Sequence, residues 1–167
     1  MQYPMLNTAV RAARNAGDII ARSVDRIDRL KIKTKKENDF VTEVDRQAEQ
    51  DIIQVIRKAY PSHAILAEET GQSGDNEYQW IIDPLDGTTN FLYGIPHFAV
   101  SIALRVKGRL EVAVVYDPLS QELFTAARGN GAQLNGKRIR VTDRRSLDGA
   151  LLGTGIPYTE DQYQYMD

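Results

Sequence analysis

The sequence contains no cysteine and no excess of charge of either sign. The lack of cysteine excludes disulfide bonds, thiolate nucleophiles and zinc sites built on thiolates. The 21 Lys and Arg residues against 23 Asp and Glu residues give a formal net charge of −2, whereas a surface that coats DNA or RNA needs a basic excess. We therefore predict no general nucleic-acid-binding surface, while a local basic patch stays open.

Long apolar runs are also missing. No stretch approaches the roughly 20 apolar residues that a membrane-spanning helix needs. The amino-terminal segment lacks the apolar core of a signal peptide, because Arg11, Arg14 and Arg22 interrupt its apolar positions. We therefore expect a cytoplasmic protein with soluble substrates or partners and no membrane contact.

Two helices are predicted in the first third of the chain. Apolar residues recur at steps of three and four from Leu6 to Ile27, which predicts one amphipathic helix after Pro4. A second helix is predicted to begin near Thr42 and to end at Pro61.

A basic stretch, residues 31–36, lies between these helices and is followed by the turn pair Asn38-Asp39. We predict a turn or mobile loop here. Lys35 or Lys36 would steer an anionic substrate or, more simply, belong to a solvated basic loop.

Beyond residue 61 the apolar pattern becomes typical of strands. The predicted strands are residues 64–67, 80–82, 98–106, 109–116, 122–127 and 150–154. Lys107-Gly108 and Asn135-Gly136 lie at predicted hairpin turns. Two helices followed by mostly antiparallel strands predict an α+β fold. We expect residues 1–149 to form one α+β metal-binding domain and residues 150–167 to be the start of a truncated carboxy-terminal α/β domain.

Two of the predicted strands lead directly into carboxylates. One apolar run ends in Glu68-Glu69, and another ends in Asp83, with Asp86 close behind. Adjacent carboxylates repel one another unless a cation joins them. Carboxylates at two strand ends that lie side by side would suit Mg²⁺, which prefers oxygen ligands and shares its shell with phosphate. The sequence therefore predicts a magnesium site.

The segment after Asp83 is suited to a phosphate group. Pro84 and Gly87 favour a turn that ends the strand at Asp83 and presents Asp83 and Asp86 from one edge. Thr88-Thr89-Asn90 can begin a helical turn, whose first N–H groups have no partner within the helix and suit an anion. The alternative is that Asp-Pro and Asp-Gly are ordinary turn pairs, but the second carboxylate cluster favours a metal site.

These segments resemble the inositol monophosphatase family. The resemblance rests on Glu68-Glu69, on the run from Asp83 to Asn90 and on residues 38–45, and it extends through residues 98–116 and 129–136. It implies the amino-terminal part of a layered αβαβα sandwich, with a helix pair packed on a large, mostly antiparallel sheet. It also implies a Mg²⁺-dependent phosphomonoesterase that hydrolyses inositol 1-phosphate, or a similar small sugar phosphate, by activated water.

The resemblance assigns a role to each residue of these motifs. Glu68 and Asp83 would bind a first Mg²⁺ together with the backbone carbonyl of Leu85, and Asp83 and Asp86 would bind a second. The family completes this second site with an aspartate of a Trp-Asp motif, which does not occur in these 167 residues. Glu69 would contribute mostly charge.

The implied catalytic residues are Glu68, Thr88 and Asp45. Glu68 and Thr88 would orient and deprotonate the attacking water, while Asp45 would support Thr88 or close a capping box with Thr42. The residues implied to contact substrate are Glu68, Leu85, Asp86, Gly87, Thr88 and Thr89.

The likeness to bacterial members of the family implies an alternative role in transcription antitermination and ribosomal RNA processing, through partners in the RNA polymerase machinery. It further implies a homodimer and sensitivity to lithium. His63 and His97 have no partner at ligand spacing, so we predict that both are structural. Trp80, the single tryptophan, is predicted to lie in the core.

Overall fold

The computed structural model describes residues 4–24, 32–36 and 39–153. The described elements are α1 (Pro4–Ser23), β1 (Ile32–Lys36), β2 (Asp39–Thr42), α2 (Glu43–Ala59), β3 (Ala64–Ala67), β4 (Gly71–Ser73), β5 (Tyr78–Asp86), α3 (Thr88–Leu92), β6 (Ala99–Val106), β7 (Arg109–Asp117), β8 (Glu122–Ala127), β9 (Gly131–Leu134) and β10 (Lys137–Ile139). Both predicted long helices are present; Ile27, the predicted end of the first, lies outside the described residues.

Eight strands form one sheet in the order β10-β9-β8-β7-β6-β5-β3-β4. Neighbouring strands are antiparallel except β3 and β5, which run parallel with Ala64 opposite Gln79 and Ala67 opposite Ile82. The prediction of an α+β fold with a mostly antiparallel sheet is confirmed. The parallel pair positions the site, because it brings the carboxyl ends of two strands to the same edge.

The helix pair packs on one face of this sheet. Small residues on α1 allow close approach: a Cβ on Gly17 would lie 2.5 Å from Cε1 of Tyr116. The shared core is made of fully buried side chains from both helices and the central strands, including Ile20, Ile52, Ile56, Trp80, Ile102 and Leu104. Full burial of one such aliphatic side chain stabilises the fold by about 1.5–3 kcal/mol. Trp80 therefore lies in the core, as predicted.

The strand that carries Asp83 is longer than predicted. We expected it to stop at Asp83, but β5 continues to Asp86. Its pairing with β6 shifts between Asp83, opposite Ser101, and Asp86, opposite Ala99, so β5 has one extra residue. Pro84 has no N–H to donate to a ladder, and a bulge accommodates such a residue without ending the strand.

The basic stretch is also corrected. Residues 32–36 pair antiparallel with residues 39–42 as a two-stranded ribbon, with Ile32 opposite Thr42, where we predicted a turn or mobile loop. The β-branched and aromatic residues of these segments favour extended backbone, and this preference outweighs the lysines. Lys31 and Asn38 lie outside the described residues.

The prediction of a strand at residues 150–154 is wrong for residues 150–153, which the structure describes. Residues 150–153 have no strand conformation, and the Ala150 N–H donates to the Leu147 carbonyl in a local turn. Leu151 is 99% exposed, so its apolar side chain has no sheet to join here. Thr154 lies outside the described residues. No helix in the described ranges is long and apolar enough to cross a membrane.

Candidate metal centre

The parallel pair places the two predicted carboxylate segments side by side. Ala67 and Ile82 are register partners, and the Glu68 N–H continues the pairing with a 3.1 Å hydrogen bond to the Ile82 carbonyl. Glu68 therefore leaves β3 directly beside Asp83.

Three carboxylates converge at this edge. Oxygen atoms of Asp45, Glu68 and Glu69 all lie within 4.8 Å of one another. Asp45 belongs to the first turn of α2 and is 1% exposed, whereas Glu68 is exposed. Three carboxylates at this separation are a suitable ligand set for a divalent cation. Glu69, predicted to contribute mostly charge, is a member of this cluster and lies 3.6 Å from Nε of Arg46.

Asp83 adjoins the cluster through Glu68. Its side chain shares a hydrogen bond with Glu68 and accepts one from the Leu85 backbone. Burial, followed by the negative charges of Glu68 and Asp86, raises the pKa of Asp83 to about 7. Among the described residues, no donor reaches the buried Oδ1 of Asp83. A buried acceptor without a donor is costly, and a bound cation would satisfy it.

Asp45 is perturbed in the same direction. Burial, then the charges of Glu69 and Glu68, raise the pKa of Asp45 to about 8, against a smaller lowering by the Thr88 hydroxyl. At neutral pH Asp45 thus favours its protonated form, and Asp83 is about half protonated. Excess negative potential of this kind is what a cation would relieve.

The bulge and turn after Asp83 bring the Thr88 hydroxyl against both the Leu85 carbonyl and Asp45. The Thr88 hydroxyl donates to the Leu85 carbonyl at 2.8 Å and lies 3.3 Å from Oδ2 of Asp45. The predicted contact between Asp45 and Thr88 is therefore present. The alternative capping box depends on the Thr42 side chain, which lies outside what the structure describes.

Gly87 is the N-cap residue of the short helix α3 and adopts a left-handed φ of 94°. A Cβ there would lie 2.8 Å from the His97 carbonyl oxygen, so both the conformation and the space require glycine. The N–H groups of Gly87, Thr88 and Thr89 stand at the start of this helix, where N–H groups have no intrahelical acceptor.

Asp86 is exposed and stands farther out. It borders an open cleft of about 420 Å³ that also contains His97, Asp117 and Glu122. Its charge acts on Asp83, but neither aspartate belongs to the tight cluster of Asp45, Glu68 and Glu69. Asp45 and Glu69, which the sequence did not predict as metal ligands, thus lie in the tight cluster with Glu68, whereas Asp83 and Asp86 lie outside it.

Glu49 is a site residue that sequence reasoning missed. It is 1% exposed, and its carboxylate accepts hydrogen bonds from the backbone N–H groups of Glu69 and Thr70. The available signal was its place on α2, one helical turn after Asp45 and next to the buried Ala48. A charged residue at the border of an apolar stripe is usually solvated, so that signal was weak.

The comparison with known proteins now decides the family. A family model described as "Inositol monophosphatase family" matches residues 1–165. The chain belongs to the inositol monophosphatase family. This confirms the resemblance drawn from the carboxylate and turn motifs.

Relatives within the inositol monophosphatase family include the Nus factor SuhB of Pseudomonas aeruginosa, which is 60% identical over an alignment of 168 positions that covers 98% of this chain and 62% of that protein. The crystal structure of the extragenic suppressor protein suhB from Bartonella henselae matches with a TM-score of 0.94 at 42% identity, over 98% of this chain and 64% of that one. An inositol monophosphatase structure from Anabaena matches with a TM-score of 0.74 at 40% identity, over 86% of this chain and 51% of that one. The chain spans less than two thirds of the length of each.

The two histidines of this family member lie apart from the carboxylate cluster. His63 precedes β3, at the opposite end of the parallel pair, where its Nδ1 accepts a 3.1 Å hydrogen bond from Nε1 of Trp80. His97 lies in the cleft beside Asp86, and its backbone carbonyl accepts from the Asn90 side chain. In the described part of the chain, neither histidine joins a group of potential metal ligands.

Proposed function

We propose that this protein is a Mg²⁺-dependent phosphomonoesterase that hydrolyses inositol 1-phosphate or a similar small sugar phosphate. The observation that carries the proposal is the convergence of buried and exposed carboxylates beside the turn of Gly87 and Thr88. Family membership supports the same reaction class. The proposal concerns the activity of the whole protein, because this chain covers only 62% of the length of the Pseudomonas relative.

The donor set fits Mg²⁺. Glu68, Asp83 and the Leu85 carbonyl would hold one ion, and Asp86 would share a second with Asp83. The fit is supported by the raised pKa of Asp83 and by its buried Oδ1 without a donor, because a cation would stabilise the ionised carboxylate and satisfy that oxygen. When bound, Mg²⁺ would neutralise phosphate charge and make water a stronger nucleophile at neutral pH.

The turn after the bulge would hold the phosphate. Backbone N–H groups of Gly87, Thr88 and Thr89 would donate to its oxygens, and donors fixed in advance stabilise the charge that develops in the transition state. Gly87 permits this geometry because glycine has no Cβ. In this left-handed conformation, a Cβ would lie 2.8 Å from the His97 carbonyl oxygen. Leu85 and Asp86 would complete the contacts to substrate.

Glu68 and Thr88 would orient the attacking water. The Thr88 hydroxyl lies within hydrogen-bond distance of both the Leu85 carbonyl and Asp45, and its oxygen has lone pairs that can accept a hydrogen bond from water. Glu68 would accept the proton of that water, and Asp45 would hold Thr88 from behind. The Leu85 carbonyl has two lone pairs, so accepting from Thr88 leaves one for a cation.

The test is phosphate release from inositol 1-phosphate with and without Mg²⁺. Chelation and the Asp86→Asn change should each reduce release strongly, whereas Glu77→Gln, at an exposed ion pair with Lys107, should leave it unchanged. Release that survives both chelation and Asp86→Asn would refute the proposal.

A second candidate function is suggested by the name of the relatives, Nus factor SuhB. We propose that the protein also joins a transcription antitermination complex with the RNA polymerase machinery, independently of catalysis. Capture of RNA polymerase by wild type and by the Asp86→Asn variant to the same extent is expected. Loss of capture in step with loss of phosphate release would contradict an independent role.

Three finer properties belong to the same proposal: a homodimer, inhibition by lithium and a cytoplasmic setting. Sedimentation should give twice the chain mass, and Li⁺ should reduce phosphate release in competition with Mg²⁺. A monomer, or release insensitive to Li⁺, would remove the corresponding property and leave the reaction class standing.

A further inference from the structure

Both oxygens of the Glu49 carboxylate accept hydrogen bonds from the turn that carries Glu68 and Glu69. Its Oε2 accepts from the Glu69 N–H at 2.7 Å and its Oε1 from the Thr70 N–H at 3.0 Å. Bonds to an ionised acceptor are about twice as strong as neutral ones. One side chain on α2 thus fixes two consecutive peptide groups between β3 and β4.

The choice of glutamate at this position is specific. A carboxylate has only acceptors, so both of its oxygens can receive an N–H, whereas an amide would turn an NH₂ group toward one of these donors. Glu49 is 1% exposed, and within the described ranges no lysine or arginine forms an ion pair with it. A buried carboxyl group that served the fold alone could be replaced by an apolar side chain of similar volume, so its place against the turn of Glu68 and Glu69 indicates a role in the adjoining site.

The geometry connects Glu49 to the carboxylate cluster. Asp45 and Glu49 are one helical turn apart on the buried side of α2. Asp45 contributes a carboxylate to the cluster, and Glu49 holds the backbone from which Glu68 and Glu69 project toward Asp45. Without this restraint, the backbone of the turn could shift and would no longer hold the two glutamates beside Asp45.

We propose that Glu49 is a positioning residue of the candidate metal centre: it holds the turn at residues 68–70 so that Glu68 and Glu69 converge with Asp45. The expected effect of Glu49 on metal affinity rests on the proposed function. Loss of residues that orient metal ligands typically reduces metal affinity by about 10–100-fold, and we expect Glu49→Gln to fall in that range.

The experiment is a titration of the protein with Mn²⁺, followed by the EPR signal of the free ion, with Mg²⁺ competition. Glu49→Gln should weaken Mn²⁺ binding about 10–100-fold while keeping a cooperative melting transition. Ile52→Val, a core change on the same helix that leaves the turn untouched, controls for general destabilisation and should keep the wild-type affinity. Wild-type affinity in folded Glu49→Gln would overturn the role of Glu49.

A second measurement needs no variant. In metal-free wild type, the amide protons of Glu69 and Thr70 should exchange with solvent slowly, because both are bonded to a buried carboxylate. Rapid exchange of both would overturn the restraint even if Glu49→Gln failed to fold. Wild-type protein that binds no Mn²⁺ would instead overturn the metal centre itself, and with it the consequence proposed for Glu49.

Discussion

The two ends of the β3–β5 parallel pair differ in the side chains that they bring together. At the amino end, His63 stacks on Tyr60 and Tyr78, with ring centroids 4.7 Å and 4.8 Å apart, and accepts the indole N–H of Trp80. At the carboxyl end, Glu68 and Asp83 meet further carboxylates. The first end combines stacked rings with a hydrogen bond between two of its own side chains, and the second accumulates charge of one sign.

The difference separates what stabilises the fold from what prepares it for a ligand. Ring packing and a satisfied hydrogen bond at the amino end contribute to stability whether or not anything is bound. At the carboxyl end, the pKa values of Asp45 and Asp83 are raised. The ionised forms of these side chains are therefore unfavourable when no cation is bound. Strain of this kind tends to be concentrated at functional sites.

The largest expected effect is that of Asp83→Asn at the carboxyl end. We proposed Asp83 as a ligand shared by two metal ions, and removing such a ligand should cost several kcal/mol of transition-state stabilisation, or roughly a thousandfold in phosphate release. The same change should raise the melting temperature of the metal-free protein at pH 8, because one repelling charge is lost. Release assays and thermal melts without metal measure the two effects. An active variant, or one with a lowered melting temperature at pH 8, would break the contrast between the ends.

Gly87→Ala should follow in size. The left-handed backbone costs a non-glycine residue about 1–2 kcal/mol, and the new Cβ would meet the His97 carbonyl at 2.8 Å. The turn would have to shift, and a displacement of about 1 Å in a positioning group lowers rates roughly a hundredfold. Steady-state kinetics should show this loss, whereas Gly108→Ala, at a hairpin turn with positive φ and open space, should affect stability alone. Equal losses of activity in the two variants would argue against a specific role for Gly87.

Trp80→Phe tests the amino end. It removes the donor to His63 and part of a fully buried ring, so the free energy of unfolding should fall by about 2 kcal/mol. Affinity for Mn²⁺ in the folded protein should not change, because the carboxyl ends of β3 and β5 keep their register. Denaturant unfolding and the Mn²⁺ titration measure the two. A variant with unaltered stability but weaker Mn²⁺ binding would reverse the assignment of the ends.

The sequence predicted this contrast only in part. Glu68 and Asp83 were recognisable because an apolar run that ends in a carboxylate is a local pattern. The hydrogen bonds to Glu49 were not recognisable, because the N–H donors lie 20 and 21 residues farther along the chain. Only the packing of α2 on the sheet brings them together. The bulge after Asp83 likewise depends on pairing with β6, which no local pattern specifies.

The smallest effect, and the one that compares both ends at once, is the pH dependence of metal-free stability. Asp45 and Asp83 have folded pKa values of about 8 and about 7 against an ordinary value of 3.8. Between pH 4 and 8 the folded state therefore binds more protons than the unfolded state, so this contribution to stability is full below pH 4 and is lost as the pH rises.

His63 acts in the opposite direction. Burial lowers its pKa from 6.5, so the unfolded state binds its proton first, and stability from this residue is lost as the pH falls below about 6.5. Thermal melts of metal-free protein should thus give a melting temperature that declines by a few degrees from pH 6.5 to 8. Saturating Mg²⁺ should flatten that decline, because it keeps the carboxylates ionised. The loss of stability below about pH 6.5 that comes from His63 should stay unchanged. A decline that persists at saturating Mg²⁺ would place its origin outside Asp45 and Asp83.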